Sequence, residues 1–403
     1  MEVFVARQPI FDTGTRVFAY ELLFRSGIEN FYDGSMDGDQ TTSKLISNSF
    51  MVIGLEDIVK GKPAFINFTR NLLVRGAPSV IPKDLITVEI LETVDPDEAV
   101  IKACRGLKNA GYVLALDDFI FQEKFRPLID LADIIKVDFT LTKGQSRRTV
   151  MELCNNRTVS FLAEKVETYE DFREALDLGY SYFQGYFFSK PVIVSGRDIP
   201  SNKLDSLRIL HEVNKPDADF DNIEKVIKHD LSLSYKLIKF INSVFFNLNV
   251  KIESIRHALV LLGINEIRKW VSLIAMTAMA EDKPQELMNV SLIRARFCEY
   301  IAPHVGLQQR SSDLFLMGLF SVIDAIIDKP MESILKELPL SEDIKGALLE
   351  EQGSVFFHVY KLVLSYEQAD WKGAAAYARE LAIEEGELPE FFMSSVKWAN
   401  VAL

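Results

Sequence analysis

Short apolar runs alternate with amphipathic stretches through the first half of the chain. Val3–Val5, Val17–Leu22, Ala64–Asn67, Ile86–Ile90, Val113–Leu116, Ile134–Val137, Val159–Ala163 and Tyr182–Gln184 are mostly β-branched, aliphatic or aromatic, and read as strands. Helix-like segments lie between most of them. Pro96–Ala110, for example, spaces Val100, Ile101, Cys104 and Leu107 along one helical face. Asp95 before Pro96 reads as an N-cap followed by proline at the first helical position, and Gly111 closes the helix. About eight strands with crossover helices predict a closed barrel rather than an open sheet. The turn-rich link Asp12-Thr13-Gly14-Thr15 reads as a hairpin, so the barrel should open with an antiparallel strand.

The pattern changes near Pro191–Ser201, which is polar and contains Gly196 and Pro200. After it strand signals largely stop. Helical periodicity takes over at Asp221–His229, Ser232–Ser243, Ile252–Leu262, Ile264–Met279, Ser291–Ala302, Ser312–Ile327, Met331–Leu338, Ser341–Gln352, Ser354–Gln368, Lys372–Glu384 and Pro389–Asn400. The expected fold is a TIM-like (β/α)8 barrel with an antiparallel first strand, residues 1–195, followed by an all-α domain, residues 196–403.

A length of 403 residues suits two domains, and 48% apolar residues suffice for packed cores. The longest apolar runs, Ala258–Leu262 and Trp270–Ala280, fall far short of the roughly 20 residues of a membrane span. Met1–Ile10 lacks the apolar core of a signal peptide. Cys104, Cys154 and Cys298 are too widely spaced for a disulfide framework or a cysteine zinc site, which fits a reducing cytoplasm. A net charge of −13 argues against direct nucleic-acid binding and leaves any anionic ligand dependent on local cations or metal.

In a closed parallel barrel chemistry sits at the C-terminal ends of the strands. Glu21, Asn67, Glu89, Asp117, Asp118, Lys136, Glu164 and Gln184 all fall at or near such ends. Taken singly each has a bland reading: a carboxylate that caps a helix or pairs with a base, a solvated surface lysine, a turn asparagine. Together they would place several carboxylates at one barrel mouth, where they repel unless paired or metal-bound. Oxygen-only ligands suit Mg2+ or Mn2+, and two such ions could clamp a phosphodiester and activate a water.

These residues sit in motifs that resemble the EAL-domain phosphodiesterases of cyclic di-GMP signalling, over residues 2–192. Gln8-Pro9-Ile10 resembles the family's QPI. Glu21-Leu22-Leu23-Phe24-Arg25 resembles its E-A-L-x-R, with Leu22 for Ala. Phe65-Ile66-Asn67-Phe68-Thr69 resembles the N-x-S/T strand end, and Glu89-Ile90-Leu91-Glu92 resembles E-x-T-E without its Thr. Leu116-Asp117-Asp118-Phe119 matches DDF, and Lys136-Val137-Asp138 resembles K-I-D. Ala163-Glu164-Lys165-Val166-Glu167 resembles A-E-G-V-E, with Lys165 for Gly. Gln184-Gly185-Tyr186-Phe187-Phe188-Ser189-Lys190-Pro191 resembles Q-G-Y-x-F-S-x-P.

The resemblance implies metal ligation by Glu21, Asn67, Glu89 and Asp117, with Asp118 and Glu164 completing a second metal site. It implies a water oriented by Lys136, with Glu164 and Lys136 as the catalytic pair. Gln8, Arg25 and Gln184 would contact the ligand, Arg25 through a phosphate, and Glu92 would brace the loop after Asp118. That loop departs from the family's DDFGTGYSS: it reads Asp117-Asp118-Phe119-Ile120-Phe121-Gln122-Glu123-Lys124-Phe125, with Ile120 and Gln122 in place of glycines. Glycine permits positive φ and close backbone approach, which a β-branched residue does not. Lys165 adds an ammonium beside Glu164 that could compete with a metal. The expectation is therefore a degenerate barrel that binds cyclic di-GMP or metal with weak or absent hydrolysis. The alternatives are an active Mg2+- or Mn2+-dependent enzyme releasing the linear dinucleotide, and a pure protein–protein scaffold.

In the second half, Phe240-Ile241-Asn242-Ser243, Ile252-Glu253-Ser254-Ile255 and Leu262-Gly263-Ile264 resemble the HDOD domain, a relative of HD-type metal hydrolases. Ser321-Val322 stands where those hydrolases carry His-Asp. His229-Asp230 lies in the wrong segment and reads as a helix end followed by the cap of the next helix. This half is expected to be an interaction platform for a protein partner, in a cytoplasmic protein for which a homodimer is one allowed assembly.

Overall fold

The computed structural model describes residues 3–26, 55–117, 122–154, 159–189, 201–241, 252 and 254–402. The chain divides into two compact units, whose main parts are Met1–Phe188 and Ser189–Tyr366 with Asp370–Leu403. The boundary expected between residues 195 and 196 falls outside the described residues.

The first unit is a closed barrel of eight strands: β1 Val3–Asp12, β2 Val17–Ser26, β3 Ala64–Phe68, β4 Ile86–Ile90, β5 Val113–Leu116, β6 Ile134–Asp138, β7 Ser160–Glu164 and β8 Tyr182–Gln184. β1 runs antiparallel to both β2 and β8, and the remaining neighbours are parallel. The β1–β2 turn is built by Asp12, whose Oδ1 accepts from the amides of Gly14 at 2.9 Å and Arg16 at 3.0 Å. This is the side-chain-to-backbone bonding that makes aspartate a turn residue. β1 is longer than its apolar start suggests, because hydrogen bonding to β2 and β8 carries it through Arg7 and Gln8.

Successive residues of a strand point to opposite faces, so residues two apart share one face. Ala19, Phe65, Ala115, Ile134 and Leu162 form one apolar layer inside the barrel, with Ile10 beside them and Tyr182 packed against it. Two residues further along the same strands come Glu21, Asn67, Asp117, Lys136, Glu164 and Gln184. The apolar layer is the floor on which the polar layer stands, and burial of each of its large side chains stabilises the barrel by about 1.5–3 kcal/mol.

The helix after β4 spans Glu98–Asn109. Its N-cap is Asp97, whose side chain accepts from the Val100 amide at 2.9 Å, rather than Asp95. Pro96 thus precedes the cap, where its effect on the residue before it favours extended chain. Asp95 pairs instead with Lys124 on the surface at 2.8 Å. Gly111 follows the helix at φ 90°, as expected of a closing glycine.

The second unit is helical throughout its described residues. Ser201–Val213 is a helix that follows the stretch read as interdomain linker and was not among the expected helices, and it packs on Ile264–Met279. The single helix expected over Ser312–Ile327 is two, Ser311–Phe320 and Ile323–Ile327. The break is tertiary in origin: Ser321 Oγ donates to the Gly318 carbonyl at 2.7 Å and accepts from the buried Arg294 at 3.2 Å. Gly318 itself lies directly on the helix Gln285–Ile301, where a Cβ would sit 2.5 Å from the backbone of Ala295. Asp230 ends the helix Phe220–His229, and its Oδ1 accepts from Leu233 N of the next helix at 2.9 Å. Among the described residues no helix is long and apolar enough to cross a membrane.

Candidate functional site

Lys136 on β6 points into the barrel with its side chain fully buried. A lysine there must find negative charge, because burial alone disfavours the ammonium. Its Nζ meets four carboxylates, Glu21 from the middle of β2 and the others from at or just past the ends of β4, β5 and β7. It pairs with Glu89 from β4, with Asp117 Oδ1 at 2.7 Å and Glu164 Oε1 at 2.7 Å, and with Glu21 Oε2 at 3.4 Å. These carboxylates hold the Lys136 pKa well above its ordinary value against the opposing effect of burial.

Among the described residues, four carboxylates facing one ammonium leave the site short of positive charge. Burial pushes the Glu89 carboxyl well above the usual range, and the charges of Glu21 and Asp117 push it further, against the pull of Lys136. Burial likewise raises Glu164, to about 8, with Lys136 opposing and Asp117 and Glu21 adding to the rise. Glu89 Oε2, Glu164 Oε2 and Gln184 Oε1 are buried and accept no hydrogen bond from the described residues. Buried acceptors left open in an acidic cluster are what a divalent cation would satisfy, and carboxylate and amide oxygens are the donors that Mg2+ and Mn2+ prefer. No three His, Cys, Asp or Glu side chains among the described residues are gathered around one cation-sized point, since Lys136 stands at the centre of the cluster. The donor set fits a divalent ion in its chemistry.

The other expected residues lie as follows. Gln184 Nε2 donates to Glu21 Oε2 at 2.6 Å and to Gln8 Oε1 at 3.1 Å, which brings Gln8 on β1 to the cluster. Asn67 Nδ2 reaches Glu21 Oε1 at 3.4 Å. Glu92 is exposed and lines a small cavity with Asp117, Gln122, Lys124 and Phe125. Arg25 has its backbone in β2, opposite Phe4, and its side chain lies outside the described residues, as does Asp118 with residues 119–121. Gln122 adopts φ −139° and ψ 143°, ordinary extended backbone, so the loss of a glycine there costs no strain. The Lys165 ammonium pairs with Asp138 at 2.5 Å.

Asp138 carried no role in the sequence reading. It is buried, and its acidity is strengthened, against burial, by hydrogen bonds from Lys165, Thr140 and the Leu141 amide. The signal was available: it stands two residues after Lys136 on the same strand face.

Comparison with known proteins fits this geometry. The model of the EAL domain matches residues 58–191 and that of the HDOD domain residues 199–334. The chain is 39% identical over 409 residues to YuxH of Bacillus subtilis, covering 99% of this chain and 98% of that protein. It is 35% identical over 400 residues to the cyclic di-GMP phosphodiesterase CdgJ of Vibrio cholerae, covering 98% of this chain and 92% of that one. Among solved structures it is similar to the calcium and cyclic di-GMP complex of Klebsiella pneumoniae BlrP1, at 23% identity and a TM-score of 0.39, over 47% of this chain and 56% of that one. It is also similar to a standalone EAL protein of Vibrio cholerae O395 bound to cyclic di-GMP, at 26% identity and a TM-score of 0.37, over 47% and 91% of the two chains.

Proposed function

Because the chain belongs to the family of proteins that join an EAL domain to an HDOD domain in cyclic di-GMP signalling, we propose that its barrel is a phosphodiesterase that opens cyclic di-GMP to the linear dinucleotide with Mg2+ or Mn2+. The observation that carries this reading is the cluster around Lys136, four carboxylates of which Glu89 and Glu164 keep a buried oxygen unsatisfied. A relative named as a cyclic di-GMP phosphodiesterase, alike over nearly the whole chain, supports turnover over binding alone.

Glu21, Asn67, Glu89 and Asp117 would hold the metal, with Asp118 and Glu164 toward a second ion. The metal, when bound, polarises the phosphoryl group and makes a water nucleophilic at neutral pH. Lys136 holds the carboxylates together and stands where its ammonium can orient a water or stabilise charge on a phosphoryl oxygen. Glu164, whose Oε1 lies 2.7 Å from the Lys136 ammonium, would form the catalytic pair with it beside the attacking water. Gln8 and Gln184 present amide groups beside Glu21 for polar contact with the nucleotide, and Arg25 would pair with its phosphate. The helical unit would engage a protein partner, and the protein would work in the cytoplasm, where a nucleotide second messenger is met.

The test is turnover by the full chain. Purified protein with Mg2+ or Mn2+ should convert cyclic di-GMP to the linear dinucleotide, resolved by chromatography, and Glu21→Ala should abolish the reaction. Absence of product with either metal would overturn the proposal. A second reading, binding without turnover, is favoured by one observation: among the described residues the carboxylates gather on Lys136 and not around an open cation-sized point. Calorimetric binding of cyclic di-GMP without product would support it.

A further inference from the structure

The chain passes from Glu164 to Val166 through a single residue in left-handed backbone, Lys165 at φ 54°. That region favours glycine, so a lysine there needs compensation from its surroundings. Both neighbours are pinned. The Glu164 carbonyl accepts from Phe139 N, just beyond β6, at 3.0 Å. Val166 N donates to the Gln184 carbonyl at 2.9 Å, and the Val166 carbonyl accepts from Phe187 N at 3.1 Å. Gly185 lies so close that a Cβ on it would sit 2.1 Å from the Val166 carbonyl oxygen.

The Lys165 side chain ends on Asp138, and Asp138 is a fixed point. Its Oδ1 accepts from Thr140 N at 2.6 Å, Thr140 Oγ1 at 2.6 Å and Leu141 N at 2.9 Å, which leaves Oδ2 for the Lys165 ammonium at 2.5 Å. Exposed ion pairs usually contribute little, because two long side chains must be held still. Here one partner is immobile and buried, with its side chain 4% exposed.

We propose that Lys165 is a positioning residue: through Asp138 it clips the end of β7 to the end of β6, and so fixes the direction in which Glu164 faces Lys136. The proposal rests on the phosphodiesterase reading for its consequence in turnover, but the clip itself does not. A glycine at this position would supply the backbone turn without the tether. Lysine supplies both, and the tether offsets the cost of the turn.

The test uses the full chain with Lys165→Met, Lys165→Gly and Lys165→Arg. Amide hydrogen exchange of peptides covering 134–141 and 160–168 reads the clip directly. Mn2+ affinity, measured by electron paramagnetic resonance, and the kcat and KM for cyclic di-GMP read its consequence. Lys165→Met and Lys165→Gly should exchange faster in both peptides, and should lose about ten-fold in Mn2+ affinity and in kcat with KM little changed, as removal of a residue that orients a ligand does. Lys165→Arg, which keeps a cation at the same reach, should behave as the parent. If Met and Gly leave exchange, Mn2+ affinity and kcat at parental values, the clip is wrong. If the parent shows neither Mn2+ binding nor turnover, the phosphodiesterase reading fails, and the exchange of the two peptides alone decides the clip.

Discussion

Each unit buries a lysine among carboxylates, and the two clusters differ in charge balance. In the barrel, Lys136 is the one cation among the described residues that faces Glu21, Glu89, Asp117 and Glu164. In the helical unit, Lys269 is just as buried and pairs with Glu266 at 3.0 Å and Glu299 at 2.5 Å. Arg296 pairs with the same Glu299, and the Lys269 ammonium also lies 4.9 Å from the Phe315 ring centre. Among the described residues the helical cluster matches two cations to two carboxylates and leaves a buried donor open, Arg296 Nε, but no buried carboxylate oxygen. The barrel cluster is short of cations and has open acceptors. A balanced buried network is structural, whereas an unbalanced one is incomplete without something that binds.

The comparison breaks most sharply on removal of the lysines. Lys136→Met leaves four carboxylates without their ammonium, and should cost the metal-free protein about 3 kcal/mol or more, with divalent cation restoring much of the loss. Lys269→Met leaves Glu299 with Arg296, so its cost should be smaller and indifferent to metal. Thermal unfolding with chelator and with Mn2+ measures both. Equal losses, equally unresponsive to metal, would erase the distinction.

Gly318 sharpens the same contrast from the helical side. Its missing Cβ lets Ser311–Phe320 rest on Ala295 and Arg294. Gly318→Ala should force these helices apart at a cost of about 2 kcal/mol, as overpacking does. Divalent cation should not repair it, since the defect is one of volume. Recovery with Mn2+ in the same unfolding assay would place a cation site in the wrong unit.

A smaller effect comes from pH. Glu164 is raised to about 8, and Glu89 is raised well above its usual range, both chiefly by burial. Between the ordinary carboxylate value and the raised one, the folded protein holds protons that the unfolded chain has released. The stability tied to these protons is therefore present at low pH and lost as pH rises toward about 8, at about 1 kcal/mol per pH unit for one such group. With chelator, the denaturation midpoint should fall from about pH 5 to about pH 8, and Mn2+ should flatten the slope by taking the protons' place. A midpoint that rises over this interval would contradict the electrostatics of the site.

The asymmetry between the clusters was half visible in the sequence. Period-two strands separated by helical stretches were enough for the barrel, and the Asp12–Thr15 link was enough for its antiparallel opening. The acidic strand ends were visible for the same reason, since Glu21, Glu89, Asp117 and Glu164 interrupt apolar runs. Lys136 was ambiguous, because a lone lysine is ordinarily solvated; only the closure of the barrel buries it. Local rules also misplaced a cap, since two aspartates flank Pro96 and either can begin a helix. The helix Ser201–Val213 was hidden by the polar, proline-bearing stretch before it, which reads as linker. The break at Ser321 was not legible, as its cause lies in Arg294 on another helix. Nor could sequence say where the Lys165 ammonium goes, because that depends on the β6–β7 register that sets Asp138 opposite Glu164.

The smallest expected effect bears on whether the barrel turns over its substrate. The altered loop argues against turnover because Ile120 and Gln122 replace glycines, which requires those positions to need glycine's backbone freedom; Ile120 lies outside the described residues, and Gln122 is the position that tests the need. At φ −139° Gln122 does not need it. Gln122→Gly should therefore gain nothing from relieved strain and should cost about 0.4–1 kcal/mol by loosening the unfolded chain. Hydrolysis of cyclic di-GMP should stay within about two-fold of the parent, since no backbone strain is released to feed into the barrier. A ten-fold rise on restoring the glycine would mean that the loop limits the reaction after all. The acidic cluster would then be a site held short of its full rate by the sequence that follows Asp117, and the imbalance of charge around Lys136 would measure capacity to bind rather than capacity to cleave.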